Sequence, residues 1–158
     1  MSPLNPASLT NQRLDSARRL ISEIKSSDGD WFTQGHEPTV TFLLRSALNG
    51  LLQEVKIAYG LTADLTVEQL ITNATDNELT VPVLSELKLL SADSNSWFSM
   101  LLASFDTYFE CRPNPISSQL SDVQMIGASA SDLGGSVKSY LDSLVELVLR
   151  FREESSEY

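Results

Sequence analysis

Apolar residues recur along this chain at spacings of three and four, the signature of a buried helix face. No segment alternates in strand fashion for more than a few residues, and no internal repeat is evident. Asn5-Pro6 reads as an N-cap followed by proline at the first helical position, where its missing N–H costs nothing. Leu14, Ala17, Leu20, Ile21 and Ile24 then mark one face of a first helix, which ends in the run Ser26 to Asp30. Gln34-Gly35-His36-Glu37-Pro38 reads as a Gly-Pro loop, so a second helix is expected from about Glu37-Pro38-Thr39. Its apolar stripe runs from Val40 to Tyr59, and Gly60 is placed to close it as a left-handed C′ residue. Asn49-Gly50 has the composition of a hairpin turn, but the 3.6-residue pattern passes through it in phase. Gly50 is therefore read as a point of close helix approach, at a propensity cost of roughly 1 kcal/mol.

Three shorter helices follow. Thr66-Val67-Glu68-Gln69 matches a capping box in which Gln69 reaches back to Thr66, opening a helix to about Asn73. Pro82 leads a helix carrying Val83, Leu84, Leu87 and Leu90. Asp93 or Ser94 is the expected cap of the next, which holds Trp97, Phe98, Leu101, Leu102, Phe105, Tyr108 and Phe109 and stops before Pro113. Residues 112–135 are rich in Pro, Ser and Gly and read as a long connector, with room for a turn of helix at Val123 to Ile126. The last helix is expected from about Asp132 to Glu154. At 100° per residue, Leu147 and Leu149 flank opposite sides of its Val137–Leu141–Leu144–Val148–Phe151 stripe. So wide a face suits either the centre of a bundle or a contact with another chain. The expectation is one all-α domain over residues 1–158, a bundle of four main and two short helices.

Composition narrows what such a bundle does. The 158 residues carry 11 Lys and Arg against 21 Asp and Glu, a formal net charge of −10. That excess repels nucleic-acid phosphates and anionic membranes, so neither is an expected partner. With 42% hydrophobic residues the chain has material for a packed core. It contains one cysteine, Cys111, and one histidine, His36, which excludes an intrachain disulfide and leaves little for a zinc site or a histidine-based triad. The Walker phosphate loop and the G-x-G-x-x-G fingerprint are both missing from the sequence. No basic, apolar leader precedes the first helix and no run is long enough to span a bilayer, so the cytoplasm is the expected compartment. No cofactor and no metal site is expected.

Several residues remain as candidates. Arg13 lies at the border of the first helix's apolar face and needs a carboxylate or an outward path. Glu54, on the flank of the second helix, is its expected partner in a structural ion pair. Trp97, Phe98, Phe105, Tyr108 and Phe109 form an aromatic stripe that suits core packing or the wall of a ligand pocket. A His36–Cys111 thiolate–imidazole pair is conceivable, but nothing in the spacing requires the two to meet. No arginine stands four to six residues before His36, so the Arg–His ribonuclease pattern of some small bacterial toxins is absent. Arg13, Arg18, Arg19 and Lys25 against Asp15 and Glu23 give residues 1–27 a charge of +2. Residues 60–110 hold Lys88 against eight carboxylates, a balance of −7, so an acidic partner would meet the first helix and avoid the middle of the chain.

Four segments carry a resemblance: Thr10-Asn11-Gln12-Arg13-Leu14, the Phe42–Tyr59 helix, Asp93-Ser94-Asn95-Ser96-Trp97 with Leu101-Leu102, and Leu149-Arg150-Phe151-Arg152-Glu153-Glu154. Together they resemble an uncharacterised family of small helical proteins of pseudomonads and related gammaproteobacteria. The resemblance implies a bacterial cytoplasmic protein with a helical fold and transfers no mechanism. A polar site shared within such a family would draw on Asn11, Gln12 and Asn95, although amides of this kind also satisfy backbone groups. The leading expectation is a non-enzymatic bundle acting through protein contacts, including a homodimer through the C-terminal helix. The alternative is a small-molecule binder or enzyme using a pocket beside Trp97 and Tyr108, with a carboxylate such as Asp106. Nucleic-acid binding through the Arg13–Arg18–Arg19 side is the weakest reading.

Overall fold

The computed structural model describes residues 5–26, 30–113 and 130–156, with side chains from 5–24, 35–113 and 136–156. These form six helices and no strand: α1 (Pro6–Ser26), α2 (Asp30–Tyr59), α3 (Val67–Asp76), α4 (Pro82–Ala92), α5 (Trp97–Phe109) and α6 (Ala130–Ser156). The all-α expectation holds, and the helices pack as a single body. Helix α2 is its axis, touching α1, α6, α5 and α3, while α4 bridges α3 and α5. Val40, Leu44, Ala47, Leu48, Leu51 and Val55 on α2 are fully buried, as the stripe predicted.

The α1–α2 contact is antiparallel and close. A Cβ on Gly50 would run into the Thr10 hydroxyl, 3.2 Å from Thr10 Cβ and 3.3 Å from its Cα. Gly50 is therefore a residue of close approach, as the unbroken pattern implied. Thr10 is itself fully buried and satisfies its hydroxyl by donating to Pro6 O at 2.9 Å. Asn5 caps α1, its Oδ1 accepting from Ser8 N at 2.8 Å.

Helix ends depart from expectation in instructive ways. Helix α2 starts at Asp30, so the expected Gln34–Pro38 loop is helical and Pro38 lies inside the helix. Proline removes the hydrogen bond to the carbonyl four residues back, at a cost of about 3 kcal/mol. Packing of Glu37, Val40, Thr41 and Leu44 just downstream overrides that local preference. Thr66 does cap α3, accepting from Gln69 N at 3.2 Å, but its own N–H goes to Asp64 O at 2.8 Å. The return arm of the expected capping box is thus replaced by a backbone turn. Helix α3 runs on to Asp76, beyond the expected Asn73. The cap of α5 is Ser96, not Asp93 or Ser94. Ser96 is buried, donates to Leu90 O at 2.6 Å and accepts from Ser99 N at 3.1 Å, so one hydroxyl closes α4 and opens α5. Helix α6 begins at Ala130, which takes residues 130–135 out of the expected connector; Val123 to Ile126 lie outside the described residues.

Three of the described helices end in the same closure, in which the residue past the cap adopts positive φ and the next N–H reaches back five residues. Gly60 (φ 65) does this for α2, with Leu61 N on Lys56 O at 2.9 Å. Glu78 (φ 60) does it for α3 and Cys111 (φ 56) for α5, with Leu79 N on Ala74 O at 2.8 Å and Arg112 N on Thr107 O at 3.0 Å. Only the first carries the glycine that makes the motif visible in sequence.

Candidate functional site

The antiparallel register decides which polar residues meet. Arg13 sits level with Ser46, its Nε donating to Ser46 Oγ at 3.2 Å and its Nη1 to Gln12 Oε1 at 3.3 Å. Glu54 lies two helical turns farther along α2, so the expected Arg13–Glu54 pair does not form. Glu54 pairs instead with Arg152 of α6: Nε to Oε1 at 2.9 Å and Nη2 to Oε2 at 3.3 Å. Arg152 also donates through Nη1 to Asn11 Oδ1 at 2.8 Å and through Nη2 to Ala7 O at 3.3 Å. One guanidinium thereby ties α1, α2 and α6 together. The pair is shielded, the Arg152 side chain 27% exposed and that of Glu54 9%. Sequence reading named Asn11 and Glu54 but missed Arg152; the signal was its position beside Phe151 on the last buried turn of α6.

The other sequence candidates are dispersed. Asn95 is exposed in the α4–α5 turn, its backbone N–H donating to Asp93 Oδ1 at 2.9 Å. Trp97 packs partly buried against the core, edge-on to Phe98 with centroids 6.0 Å apart. Tyr108 is half-buried on α5. The aromatic stripe divides: Phe98 enters the core, whereas Phe105 and Phe109 stack at 5.7 Å and Phe109 is 79% exposed. The concavities described below are lined by residues other than Trp97 and Tyr108. Cys111 is an exposed thiol at the end of α5, and His36 lies within α2.

A second polar cluster lies inside the bundle. Glu37 is 7% exposed, and burial pushes its carboxyl up to about 7. Tyr140 of α6 is buried and raised, first by desolvation and then by the Glu37 charge, against a hydrogen bond with Ser104 of α5. One turn beyond Glu37, the fully buried Thr41 hydroxyl has no hydrogen-bond partner. Arg45, one turn farther, is lowered by burial and partly restored by Asp106; it donates to Asn49 Oδ1 at 2.7 Å and lies 5.8 Å from the Phe105 ring centre.

A two-lobed groove lies at one end of the bundle, where α1 and α4 begin and α2 and α6 end. The larger lobe, about 610 Å³, is lined by Ala58, Tyr59, Leu79, Thr80, Pro82, Glu154 and Ser155. The smaller, about 240 Å³, lies between Pro6, Ala7, Ile57, Phe151 and the Glu54–Arg152 pair, and shares Ala58 and Ser155 with the first. Ile57 is 68% exposed on its rim and Leu79 37%. Glu78, held at positive φ, fixes where Leu79 stands. A separate cleft of about 320 Å³ runs between α1 and α6 over Leu14, Val145 and Leu149. A polar concavity of about 500 Å³ on α3 is lined by Glu68, Asn73 and Asp76, among others. Asn73 Oδ1 already accepts from Thr62 N and Ala63 N at 2.8 and 3.0 Å.

With the fold and groove defined, comparison places the sequence. The profile of a family of unknown function, DUF6586, matches residues 1–158. The chain belongs to that family. No curated protein and no solved structure matches it. Among the described residues of this DUF6586 chain, no helix is long and apolar enough to cross a membrane. Among the same residues, no group of three or more His, Cys, Asp and Glu could hold a metal ion.

Proposed function

We propose that this DUF6586 chain is a non-enzymatic helical-bundle protein that works by docking another protein, at the two-lobed groove. The observation that carries this reading is the groove itself: about 610 and 240 Å³ of adjoining space, lined on its apolar side by Ala58, Leu79, Pro82 and Phe151. Isolated exposed apolar residues need no explanation, but a contiguous apolar concavity with a polar rim does. The groove also uses the end of the C-terminal helix, the element whose wide apolar face suggested a contact. Most of that width goes into the protein's own core, where Leu147 and Val148 are each 1% exposed, while Leu149 is left 58% exposed.

A photo-crosslinking residue placed at Ile57 or Leu79 in the native host tests the reading, with Leu89 (75% exposed on α4) as the control. The expected result is a discrete protein adduct from the groove positions that disappears when Ala58→Trp fills the larger lobe. The same adducts from Leu89, or adducts indifferent to Ala58→Trp, refute it.

A further inference from the structure

Resting on that docking reading, we infer that the groove's occupant is a cationic amphipathic helix, which sets two successive apolar side chains into the two lobes. The shape argues for a helix. The lobes adjoin through Ala58 and Ser155, so their occupants sit side by side, as do residues three or four apart on one helix face. The described residues contain no strand, so they offer no sheet edge to which an extended peptide could add.

The charge of the occupant follows from the rim. Within the lining, Arg152 already hydrogen-bonds Glu54, Asn11 and Ala7 O, and the Glu54 carboxylate at 2.9 Å balances its charge. Glu154 remains as an exposed carboxylate in the larger lobe. Arg150 feels the Glu154 charge, but Glu86 already holds that guanidinium through two hydrogen bonds of 2.8 and 2.9 Å, with Glu146 at 3.7 Å. Glu78, also exposed, directly precedes Leu79 of the larger lobe. An incoming Lys or Arg therefore meets unsatisfied negative potential, whereas an incoming carboxylate meets like charge on a chain of net charge −10.

The test uses the full chain and two fluorescent five-turn helices with the same Leu/Ala face, one carrying Lys and the other Glu on its polar face. Anisotropy measures binding, and backbone amide shifts locate it. The expected result is micromolar, salt-sensitive binding of the Lys helix, with shifts at Ala58, Tyr59, Leu79 to Val83 and Ser155. Glu154→Lys should weaken it about threefold, and Ala58→Trp or Thr80→Trp about tenfold or more. Two filling variants from different elements guard against one of them misfolding. Equal binding of the two helices overturns the inference because charge then plays no part, and Lys-helix binding that survives both filling variants overturns it because charge alone then explains it. Glu-helix binding in the groove keeps the docking site and overturns the assigned charge. If neither helix moves a groove residue, both readings fall.

Discussion

Replacing Glu37 by Gln should change how stability depends on pH, and by an amount the structure specifies. Glu37 is 7% exposed between α2 and α6, and burial raises its carboxyl from 4.5 to about 7. Between those values the native state holds a proton that the unfolded chain has released, so stability falls as pH rises. The contribution is complete below the unfolded value of 4.5 and is lost as pH climbs through about 7. A shift of this size is worth roughly 3 kcal/mol at 1.36 kcal/mol per unit, and the interval from pH 5 to 8.5 exposes about 2.5 kcal/mol of it. Gln has the shape of the protonated carboxyl and does not titrate. Urea unfolding of both proteins across that interval isolates the effect, because every other carboxylate cancels in the difference. The variant should gain about 2.5 kcal/mol relative to the parent on going from pH 5 to 8.5. Ionised Glu37 also helps to keep the buried Tyr140 phenol neutral, so tyrosinate absorbance should rise at lower pH in the variant. Parallel stability curves for the two proteins refute the reasoning, since they would mean that Glu37 titrates alike in both states.

Four further substitutions probe the packing around that cluster and the groove. Thr41→Val removes a buried hydroxyl with no partner and keeps the branched shape, so the urea midpoint should rise, by about 1 kcal/mol in stability. Gly50→Ala adds a Cβ against Thr10 and should cost about 1–2 kcal/mol by the same measurement, despite alanine's better helix propensity. Arg152→Met leaves the shielded Glu54 carboxylate unpaired and should cost about 2–3 kcal/mol. Glu54→Leu with Arg152→Met should recover part of that loss, as a double-mutant cycle would show.

What was legible in the sequence is what periodicity encodes. The stripes of α1, α2 and α6 were readable because each buries one face over several turns, and Gly50 because the pattern crossed it without a phase shift. Less legible were features in which a tertiary contact outweighs a local signal. Gln34-Gly35-His36-Glu37-Pro38 has a loop's composition but lies in a helix held on several sides. Glu78 and Cys111 stand where glycine usually marks a helix end, so those closures left no mark. The ion pair was misassigned for a geometric reason. A helical wheel gives the face of Arg13 and of Glu54 but not their height, and the Thr10–Gly50 contact sets a register that separates them by two turns. Arg152 reaches Glu54 from 98 residues away, a separation that pattern reasoning does not see.

The same register explains why the groove lies at this end of the bundle and why the Arg152 cluster is its wall and not its ligand site. Helix α1 begins level with Glu54, so the last turn of α2 projects past the start of α1 and carries Ile57, Ala58 and Tyr59 beyond it. Helix α6 ends alongside, and the α3–α4 turn brings Leu79 and Pro82 across the gap. Four helix termini cannot interdigitate as helix flanks do, which leaves concave space between them. The Glu54–Arg152 pair ties α2 to α6 beside the smaller lobe, and its guanidinium also donates to Asn11 and Ala7 O. A guanidinium whose charge Glu54 already meets at 2.9 Å in a shielded site gains little from an external anion. Its role is to hold the lobes in register, and the docking proposed for the groove would fall to its apolar lining and to Glu154.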